Sequence, residues 1–579
     1  MGELLKRFLV PYRARAAIGV CAKAVEVVFD LLTPIIVARM IDRGVAARDV
    51  GVVVRLGILL VLLALVGYSF TLVCQKMASL VSQGLGTDVR NELYEKIMSL
   101  DAEGVDRFGT PSLVTRLTGD VNQIQVAVAL VIRQLIRWPF LAVGSMIAAC
   151  LIDLRLGLVF VVCTPAIGLV FWLVMSRAVP FYRIVQRKLD AVSLVCRETL
   201  SGVRVIRAFG RERRERERFR GASDEQASVA IAVGRLSSVL NPSTFLIMSL
   251  GIVAILWAGG SRVSVGDLTQ GEVVAFVNYM TQTLLSIAYV ANLVVVFTRG
   301  AASAQRVCEV LDAPIVLSDE GRGHVDLPAW GEADALSLDD VSFAYDGAQA
   351  KALEGLSLSL AEGETLGIIG GTGSGKSTLV QLVSRLYDVS DGSVKVLGRD
   401  VREYPMDELR EIVSVVPQSA TLMSGTIRSN LSWRRGDATD EELWHALEVA
   451  QAAEFVRGKA DGLDEAVSAG GRNFSGGQRQ RLTIARALVG DPRILILDDS
   501  ASALDYATDA ALRRALAALG NSLTTILVSQ RVSAVMGADK ILVLDHGRAV
   551  GLGTHESLLE TCVPYREICL SQLSKEEVA

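Results

Sequence analysis

Residues 364–387 read ETLGIIGGTGSGKSTLVQLVSRLY, and this stretch decides the fold of the second half of the chain. A short apolar run leads into a glycine-rich loop, which is followed by a segment with helical spacing. The loop fits the pattern G-x-x-x-x-G-K-[ST] in the strand–loop–helix setting that the pattern requires. Glycines let the backbone wrap phosphate groups, and the N–H groups at the start of the helix donate to an anion. The stretch therefore predicts a phosphate-binding loop in an α/β domain.

The side chains of this loop suit a nucleotide. Lys376 would neutralise charge on the β- and γ-phosphates, and Ser377 would offer its hydroxyl to Mg²⁺. A glycine-rich turn without a ligand would not explain why strand, loop, Lys-Ser-Thr and helix occur together. The residues predicted to contact ATP here are Gly370, Gly371, Thr372, Gly373, Ser374, Gly375, Lys376, Ser377 and Thr378.

Three further apolar runs, RILILDD, TTILVSQ and KILVLD, predict strands of the same sheet. The first of them ends at Asp498 and Asp499. In nucleotide-binding folds an Asp at the carboxyl end of such a strand holds Mg²⁺, and ligands bind outside the carboxyl ends of parallel strands. We therefore expect a mostly parallel sheet that places Asp498 beside the glycine-rich loop.

The first half of the chain has a different character. Hydrophobic residues make up 51% of the 579 residues and charged residues 21%, which excludes a disordered or small disulfide-rich protein. The long apolar runs lie almost entirely before residue 300. A helix that crosses the hydrocarbon layer needs about 20 mostly apolar residues. Six candidate spans fit this length: 15–40, 52–80, 127–151, 155–179, 237–260 and 271–298.

Charge predicts the orientation of these spans. The two long connections, 81–126 and 180–236, fall on the side that also carries both termini. Between Arg177 and Arg220 there are 13 basic and five acidic residues. Basic loops stay in the cytoplasm. We therefore expect a multi-pass protein of the cytoplasmic membrane, with both termini, the long loops and the α/β domain in the cytoplasm.

Nucleic-acid binding and a zinc site are both disfavoured. The chain has 59 basic and 63 acidic residues, a net charge of −4. In RERRERERFR, residues 211–220, Glu alternates with Arg, which favours a solvated, salt-bridged helix over a nucleic-acid patch. Eight cysteines without a C-x-x-C pair, together with only four His, favour buried thiols over zinc ligands.

With its motifs in this order, the chain resembles an ABC exporter half-transporter of the type IV fold, of the multidrug or lipid exporter kind. The membrane half is followed by GGTGSGKST, VPQ, FSGGQ, LILDD and SALD, so the resemblance covers nearly the whole chain. It implies an α-helical transmembrane domain over 1–312, with six helices, an interfacial N-terminal helix and long cytoplasmic extensions. A linker over 313–335 and an α/β P-loop nucleotide-binding domain over 336–579 would follow.

The resemblance also implies roles for further residues. Tyr345 looks like the aromatic residue that stacks on adenine, although a core Tyr is the alternative. Gln418 resembles the residue that contacts Mg²⁺ and senses the membrane domain, so the implied metal set is Ser377, Gln418 and Asp498. Contacts between the two domains would lie near 108–120 and 201–212. Two motifs would act across a dimer: the signature Phe474, Ser475, Gly476, Gly477 and Gln478, and the D-loop Ser502, Ala503, Leu504 and Asp505.

Two positions depart from the family pattern. Asp499 stands where the family has a catalytic Glu, and Gln530 stands where it has a switch His. Aspartate is one CH₂ shorter, and Gln cannot carry positive charge. Together they predict a site that binds ATP well and hydrolyses it slowly. Since the other motifs are intact, we expect a heterodimer in which a non-identical half-transporter supplies the main hydrolytic site.

The expected function is ATP-driven export of a hydrophobic or amphipathic substrate. Membrane lipid is an expected partner, because it would surround the transmembrane helices. An ATP-gated channel, a regulatory membrane protein and a weakly hydrolysing homodimeric exporter remain alternatives. Glu26 and Asp30 lie four residues apart on one face of the first span. They could attract a cationic substrate, or they could be paired with Arg or Tyr on neighbouring helices.

Overall fold

A computed structural model describes residues 1–315, 317, 322–500, 503–519 and 522–572 of the chain. These residues form two units. The first, called the helical unit below, contains Met1–Met98 and Gly109–Ala313. The second, called the α/β unit, contains Ser99–Phe108 and the described residues from Pro314 onward. The short segment Ser99–Phe108 therefore packs with the α/β unit although it lies in the first half of the sequence.

All six predicted spans are helical. Among the described residues, four stretches are long and apolar enough to cross a membrane: Val50–Ser99, Thr110–Ile152, Leu154–Ser201 and Glu212–Val265. The first and sixth predicted spans fall in helices that do not pass this test of length and composition. The helices up to residue 311 are α1 (Gly2–Phe8), α2 (Arg13–Met40), α3 (Val50–Ser99), α4 (Ala102–Phe108), α5 (Thr110–Thr115), α6 (Val121–Gln134), α7 (Arg137–Ile152), α8 (Leu154–Ser201), α9 (Val203–Ala208), α10 (Glu212–Ser238), α11 (Leu240–Val265) and α12 (Gln270–Leu311).

Local sequence explains where these helices break and begin. Pro139 follows the gap between α6 and α7, and it has no N–H to donate to a carbonyl four residues earlier. Asp153 begins α8 by accepting a hydrogen bond from the Leu156 N–H at 2.9 Å. Thr269 and Glu272 form a reciprocal capping box at the start of α12.

The long extensions of α8 and α10 are joined by ion pairs. Lys188 on α8 contacts Glu225 on α10 at 2.5 Å, and Glu198 on α8 pairs with Arg218. Within the run 211–220, Arg213 also pairs with Glu217 one helical turn away. These contacts confirm the expectation of a salt-bridged helix in this basic run. Each exposed pair contributes little to stability by itself.

The predicted N-terminal helix is present as α1. Its apolar side chains Leu4 and Phe8 are buried within the helical unit. Arg7, whose guanidinium lies over the Phe8 ring, pairs with Glu92 of α3. The apolar face of α1 is therefore covered by protein.

The α/β unit contains a six-stranded sheet in the order β12-β11-β3-β10-β9-β6 and a four-stranded sheet in the order β2-β1-β4-β5, with β7 and β8 as a separate pair. In the larger sheet β11, β3, β10, β9 and β6 are parallel and β12 is antiparallel. This confirms the predicted mostly parallel sheet. The strands are β1 (Asp334–Phe343), β2 (Leu353–Ala361), β3 (Thr365–Gly370), β4 (Asp391–Val396), β5 (Arg399–Asp400), β6 (Val413–Val416), β7 (Gly425–Thr426), β8 (Ala466–Val467), β9 (Ile494–Asp498), β10 (Thr524–Ser529), β11 (Lys540–Asp545) and β12 (Arg548–Gly553).

Helices cover the larger sheet, because its strands are apolar on both faces, as parallel sheets usually are. Strand β9 is buried along Ile494, Leu495, Ile496 and Leu497. The helices of this unit are α13 (Lys376–Val383), α14 (Met406–Ile412), α15 (Ile427–Leu431), α16 (Asp440–Val449), α17 (Ala453–Arg457), α18 (Gly476–Leu488), α19 (Tyr506–Ala518), α20 (Val532–Val535), α21 (His555–Thr561) and α22 (Val563–Gln572).

The segment that precedes β1 is held to this unit by several contacts, two of them made by Glu408. Glu408 on α14 accepts the Val325 N–H at 3.0 Å and contacts His324 Nδ1 at 2.8 Å. The Val325 side chain is buried in the core of the unit. All eight cysteines are free thiols. No group of three or more His, Cys, Asp or Glu that could hold a metal ion lies within the described residues.

Candidate functional site

The carboxyl ends of β3, β9 and β10 meet at one edge of the larger sheet. Next to them lies a cavity of about 470 Å³. Almost all of the residues predicted to contact ATP line this cavity, together with Gln418, Asp498, Asp499 and Gln530. The sheet therefore brings together motifs that are up to about 185 residues apart in the sequence (Tyr345 to Gln530).

The glycine-rich loop needs glycine where the chain passes close to its neighbours. A Cβ at Gly370 would lie 2.2 Å from the Leu544 carbonyl oxygen. Gly375, just before α13, has φ +98°, a conformation that other residues rarely adopt. Lys376 Nζ donates to the carbonyl oxygens of Gly370 and Gly371 at 2.9 and 2.7 Å. The lysine thus spans the loop, where its charge would face a bound phosphate.

Two carboxylates follow β9 at the other side of the cavity. Ser377 Oγ donates to Asp498 at 3.3 Å, and Gln418 Nε2 donates to Asp499 at 3.4 Å. Burial raises the pKa of Asp498, whereas its bond to Ser377 lowers it. Burial also lowers the pKa of the Lys376 ammonium, while Asp498 and Asp499 oppose this shift.

These side chains fit Mg²⁺. A hydroxyl, a carboxylate and an amide oxygen are hard oxygen donors, and Mg²⁺ is usually held by few protein ligands together with phosphates and water. Ser377 and Asp498 already contact one another. Gln418 contacts Asp499, the residue directly after Asp498. Ser377, Asp498 and Gln418 are therefore the residues that would hold the ion.

Tyr345 lies at the other end of the cavity. Its hydroxyl contacts Thr378 Oγ1 at 3.0 Å and donates to Gln381 at 2.9 Å, so it is tied to α13 directly after the loop. Its ring meets Phe343 and Tyr387 edge to face, with centroids 4.9 and 5.4 Å apart. The side chain is 36% exposed. It is therefore not the fully buried core Tyr of the alternative interpretation.

Helix α4 contacts this aromatic group. The Tyr387 hydroxyl donates to Asp106 at 2.7 Å. Burial, and secondarily this bond, raises the pKa of Tyr387. The predicted contact segment 108–120 begins at Phe108, the last residue of the segment Ser99–Phe108 that belongs to the α/β unit, while Gly109 onward belongs to the helical unit, and its role as a contact stays a prediction. The second predicted segment contains α9, and Phe209 directly after this helix is 75% exposed.

We expect Tyr387→Phe to reduce substrate-stimulated ATPase activity and transport about tenfold. It removes one hydrogen bond to a carboxylate, which is worth about 1.5–3 kcal/mol, and leaves the ring against Tyr345. ATP affinity should stay unchanged. Tyr345→Phe is the matched variant: it removes the contacts to Thr378 and Gln381 and should weaken ATP binding instead. Equal behaviour of the two variants would contradict this division of roles.

The signature motif begins α18. Ser475 Oγ accepts the Gln478 N–H at 3.3 Å, and Gln478 Oε1 accepts the Ser475 N–H at 3.0 Å, which is a capping box. Phe474 is buried, and a Cβ at Gly476 would meet no atom within 4 Å. None of the residues 474–478 lines the cavity described above.

The D-loop is described in part, since Ser502 lies outside the described residues. Asp505 accepts the Thr508 N–H at 2.9 Å and so caps α19. This backbone bond is the main reason why the pKa of Asp505 is lowered. Leu504 is buried, and the Ala503 carbonyl oxygen lies 3.3 Å from where a Cβ of Gly477 would be. The D-loop and the signature are thus adjacent.

Five residues that line the cavity were not among the predicted site residues: Lys351, Ala352, Val528, His546 and Gly547. His546 precedes Gly547, whose N–H donates to the Ser374 carbonyl at 3.2 Å. The sequence could have predicted that this turn lies at the cavity. The turn follows β11, and the carboxyl ends of parallel strands meet at one edge. Lys351 lies before β2, a strand that no motif marked.

Glu26 and Asp30 lie far from this cavity in sequence, within the helical unit. Glu26 contacts Lys23 at 2.6 Å and also pairs with Arg137. Asp30 pairs with Arg137 at 3.1 Å. The structure therefore contains the paired arrangement that was the alternative to a cation-attracting site.

Taken with the fold, this nucleotide cavity and the membrane helices define a class, the ATP-binding membrane transporters. Residues 16–287 match the family model of the ABC transporter transmembrane region, and residues 353–502 match that of the ABC transporter. An uncharacterized ABC transporter ATP-binding protein of Mycobacterium tuberculosis is 38% identical over 98% of both chains. An ATP-dependent lipid A-core flippase of Chromobacterium violaceum is 31% identical over 100% of this chain and 97% of that protein.

The chain belongs to the ABC transporter family and is built as an exporter half-transporter, with a transmembrane domain followed by a nucleotide-binding domain. A solved bacterial Atm1-family ABC exporter with ATP bound has the same fold, with a TM-score of 0.76 and 23% identity over 99% of this chain and 100% of that one. The order of helical and α/β parts predicted from the sequence is confirmed.

Proposed function

We propose that this chain is one half of a heterodimeric exporter, and that its own nucleotide cavity binds ATP but hydrolyses it slowly. The observation that carries the proposal is the pair Asp499 and Gln530, which stand in the cavity at the positions of the catalytic Glu and the switch His. Every other motif residue described in the cavity keeps the family type.

Asp499 is unsuited to act as the general base. Its backbone N–H is held by the Val528 carbonyl at 2.8 Å, so the residue cannot move forward to make up for the shorter side chain. Its carboxylate accepts from Gln418. General-base catalysis contributes roughly 10²–10⁴-fold to a rate and requires the base within hydrogen-bond reach of the proton it takes.

Gln530 lines the same cavity and can still hydrogen-bond a γ-phosphate. It cannot become a cation, so it stabilises less of the negative charge that develops during phosphoryl transfer. Magnesium, when bound at Ser377 and Asp498, would neutralise phosphate charge in this cavity as in other ATPases. The remaining residues can hold ATP, because Lys376, the loop amides and Tyr345 do not take part in activating water.

A second, different chain would supply the hydrolytic site. The signature of this chain lies away from its own cavity and contains Gly476, which is exposed and has free space around it. In the family such a surface meets ATP held by another chain. We propose that it completes the partner's catalytic site, and that the partner's signature closes the cavity here.

The proposed cycle is alternating access. ATP binds the closed pair of nucleotide-binding domains more tightly than the open pair, so it shifts the population toward closure. Hydrolysis in the partner's site removes contacts and permits reopening. We propose that the α/β unit and both termini lie in the cytoplasm, because the loop 180–236 is strongly basic.

The proposed substrate is a hydrophobic or amphipathic molecule taken from the cytoplasm or the inner leaflet. The similarity to a protein named as a lipid A-core flippase supports a lipid-like amphiphile. A cationic substrate finds less support, since both membrane acids have basic partners within the chain.

The hydrolysis in this chain's cavity and the hydrolysis in the partner's site can be tested separately in the complex purified from its own membranes. Gly476→Asp would place a carboxylate beside ATP in the partner's site without a clash in this chain, and we expect it to lower ATPase activity about 100-fold. Lys376→Ala alters only this chain's cavity, and we expect it to keep more than about half of the activity, because the main hydrolysis takes place in the partner's site. Gly476→Ala is the steric control.

Native mass spectrometry of the same preparation gives the composition. A complex of two different half-transporters with this asymmetry supports the proposal. Two copies of this chain, with Lys376→Ala and Gly476→Asp equally inactive, would show a homodimeric exporter instead. An ion conductance that requires ATP binding, without substrate accumulation in inside-out vesicles, would favour the channel alternative.

A further inference from the structure

The last helix of the described chain holds the backbone directly after Gln530. Gln572 Nε2 donates to the Gln530 carbonyl at 2.8 Å, and Gln572 Oε1 accepts the Val532 N–H at 2.9 Å. A carboxamide is a neutral group that offers a donor and an acceptor on separate atoms. One side chain therefore fixes the two successive peptide groups that follow the switch position.

Further hydrogen bonds hold the same turn. The Arg531 N–H donates to Ser529 Oγ at 3.0 Å, at the end of β10. Val532 is fully buried and begins α20, which has only four residues. The direction of the Gln530 side chain depends on the peptide planes on either side of it, and Gln572 contacts the one between Gln530 and Arg531 together with the next one along the chain.

Gln572 stands on a rigid support. On the same helix, α22, Tyr565 and Cys569 are fully buried, and the Tyr565 hydroxyl lies 2.7 Å from His555 Nδ1 on α21. These residues belong to an apolar cluster that includes Ile369, directly before the glycine-rich loop. Gln572 itself is exposed, so its side chain can be replaced without opening the core.

We propose that Gln572 is a positioning residue that holds Gln530 toward the γ-phosphate and so sets the preference of this cavity for ATP over ADP. The proposal rests on the role given above to Gln530. It assigns to α22 a part in nucleotide recognition, although none of the residues of this helix lines the cavity.

The test is photolabelling of this chain with 8-azido-ATP in the full complex in lipid nanodiscs, with unlabelled ATP and ADP as competitors. Losing both bonds in Gln572→Ala should weaken competition by ATP about threefold to tenfold, since one net hydrogen bond is worth about 0.5–1.5 kcal/mol. ADP lacks the γ-phosphate, so its competition should change less than about twofold. Gln572→Glu removes the donor alone, and it should also weaken competition by ATP.

Two variants make the outcome interpretable. Ser571→Ala is the control on the same helix, because Ser571 Oγ contacts only the Ile568 carbonyl. Gln530→Ala alone should abolish the preference of this cavity for ATP over ADP. If Gln530→Ala does so while Gln572→Ala matches the unaltered chain, the inference on Gln572 is overturned and the role of Gln530 stands. Equal weakening of ATP and ADP by Gln572→Ala would show a merely structural contact and would also overturn it.

Discussion

Restoring both family residues, Asp499→Glu with Gln530→His, should raise the ATPase rate of this chain's own cavity about 100-fold. The reason is that a longer carboxylate reaches the attacking water and an imidazole can carry positive charge, and general acid–base groups contribute roughly 10²–10⁴-fold. The gain should require both changes, because each group acts on the same transition state and their effects are not additive.

This gain is measurable only when the partner's site is silent. Gly476→Asp in this chain provides that background, since the open space around Gly476 accepts a side chain and the proposed contact is with the partner's ATP. The matched control adds Lys376→Ala, which should remove the gain. A rate that stays at background in the restored cavity would mean that something other than Asp499 and Gln530 limits hydrolysis there.

The sequence predicted the nucleotide cavity well because its parts are local patterns. The loop after β3, the carboxylates after β9 and Gln530 after β10 each follow an apolar strand, and parallel strands bring their carboxyl ends to one edge. Membrane helices were predictable for a similar reason, since about 20 apolar residues suffice to mark a span.

The sequence left open a pairing of Glu26 with Arg or Tyr on a neighbouring helix but could not identify the partner, and the contact of Tyr387 was not predicted at all, because both contacts join residues far apart in the sequence. Arg137 lies 111 positions from Glu26, and Tyr387 lies 281 positions from Asp106. No periodicity marks such pairs, because either residue alone is a common surface type. The four-stranded sheet was missed because β1 and β4 carry no motif, and their antiparallel pairing is set by tertiary packing rather than by local propensity.

The second large effect concerns the charges inside the helical unit. Arg137→Leu should lower the free energy of unfolding by about 3 kcal/mol, because removing one partner of a buried ion pair leaves uncompensated charge. The Glu26 carboxylate is nearly buried and would keep its ion pair with Lys23. Asp30 would lose its ion pair with Arg137. The measurement is the midpoint of thermal unfolding in lipid nanodiscs.

A double variant separates structure from transport. In Arg137→Leu with Asp30→Asn, one positive and one negative charge are removed together and the Lys23–Glu26 pair remains, so stability should return to within about 1 kcal/mol of the unaltered chain. If the pairs are structural, export of a cationic dye by this stable variant should be retained. Loss of export with stability intact would instead place Asp30 in the path of the substrate, as the spacing of the two acids on one helix face first suggested.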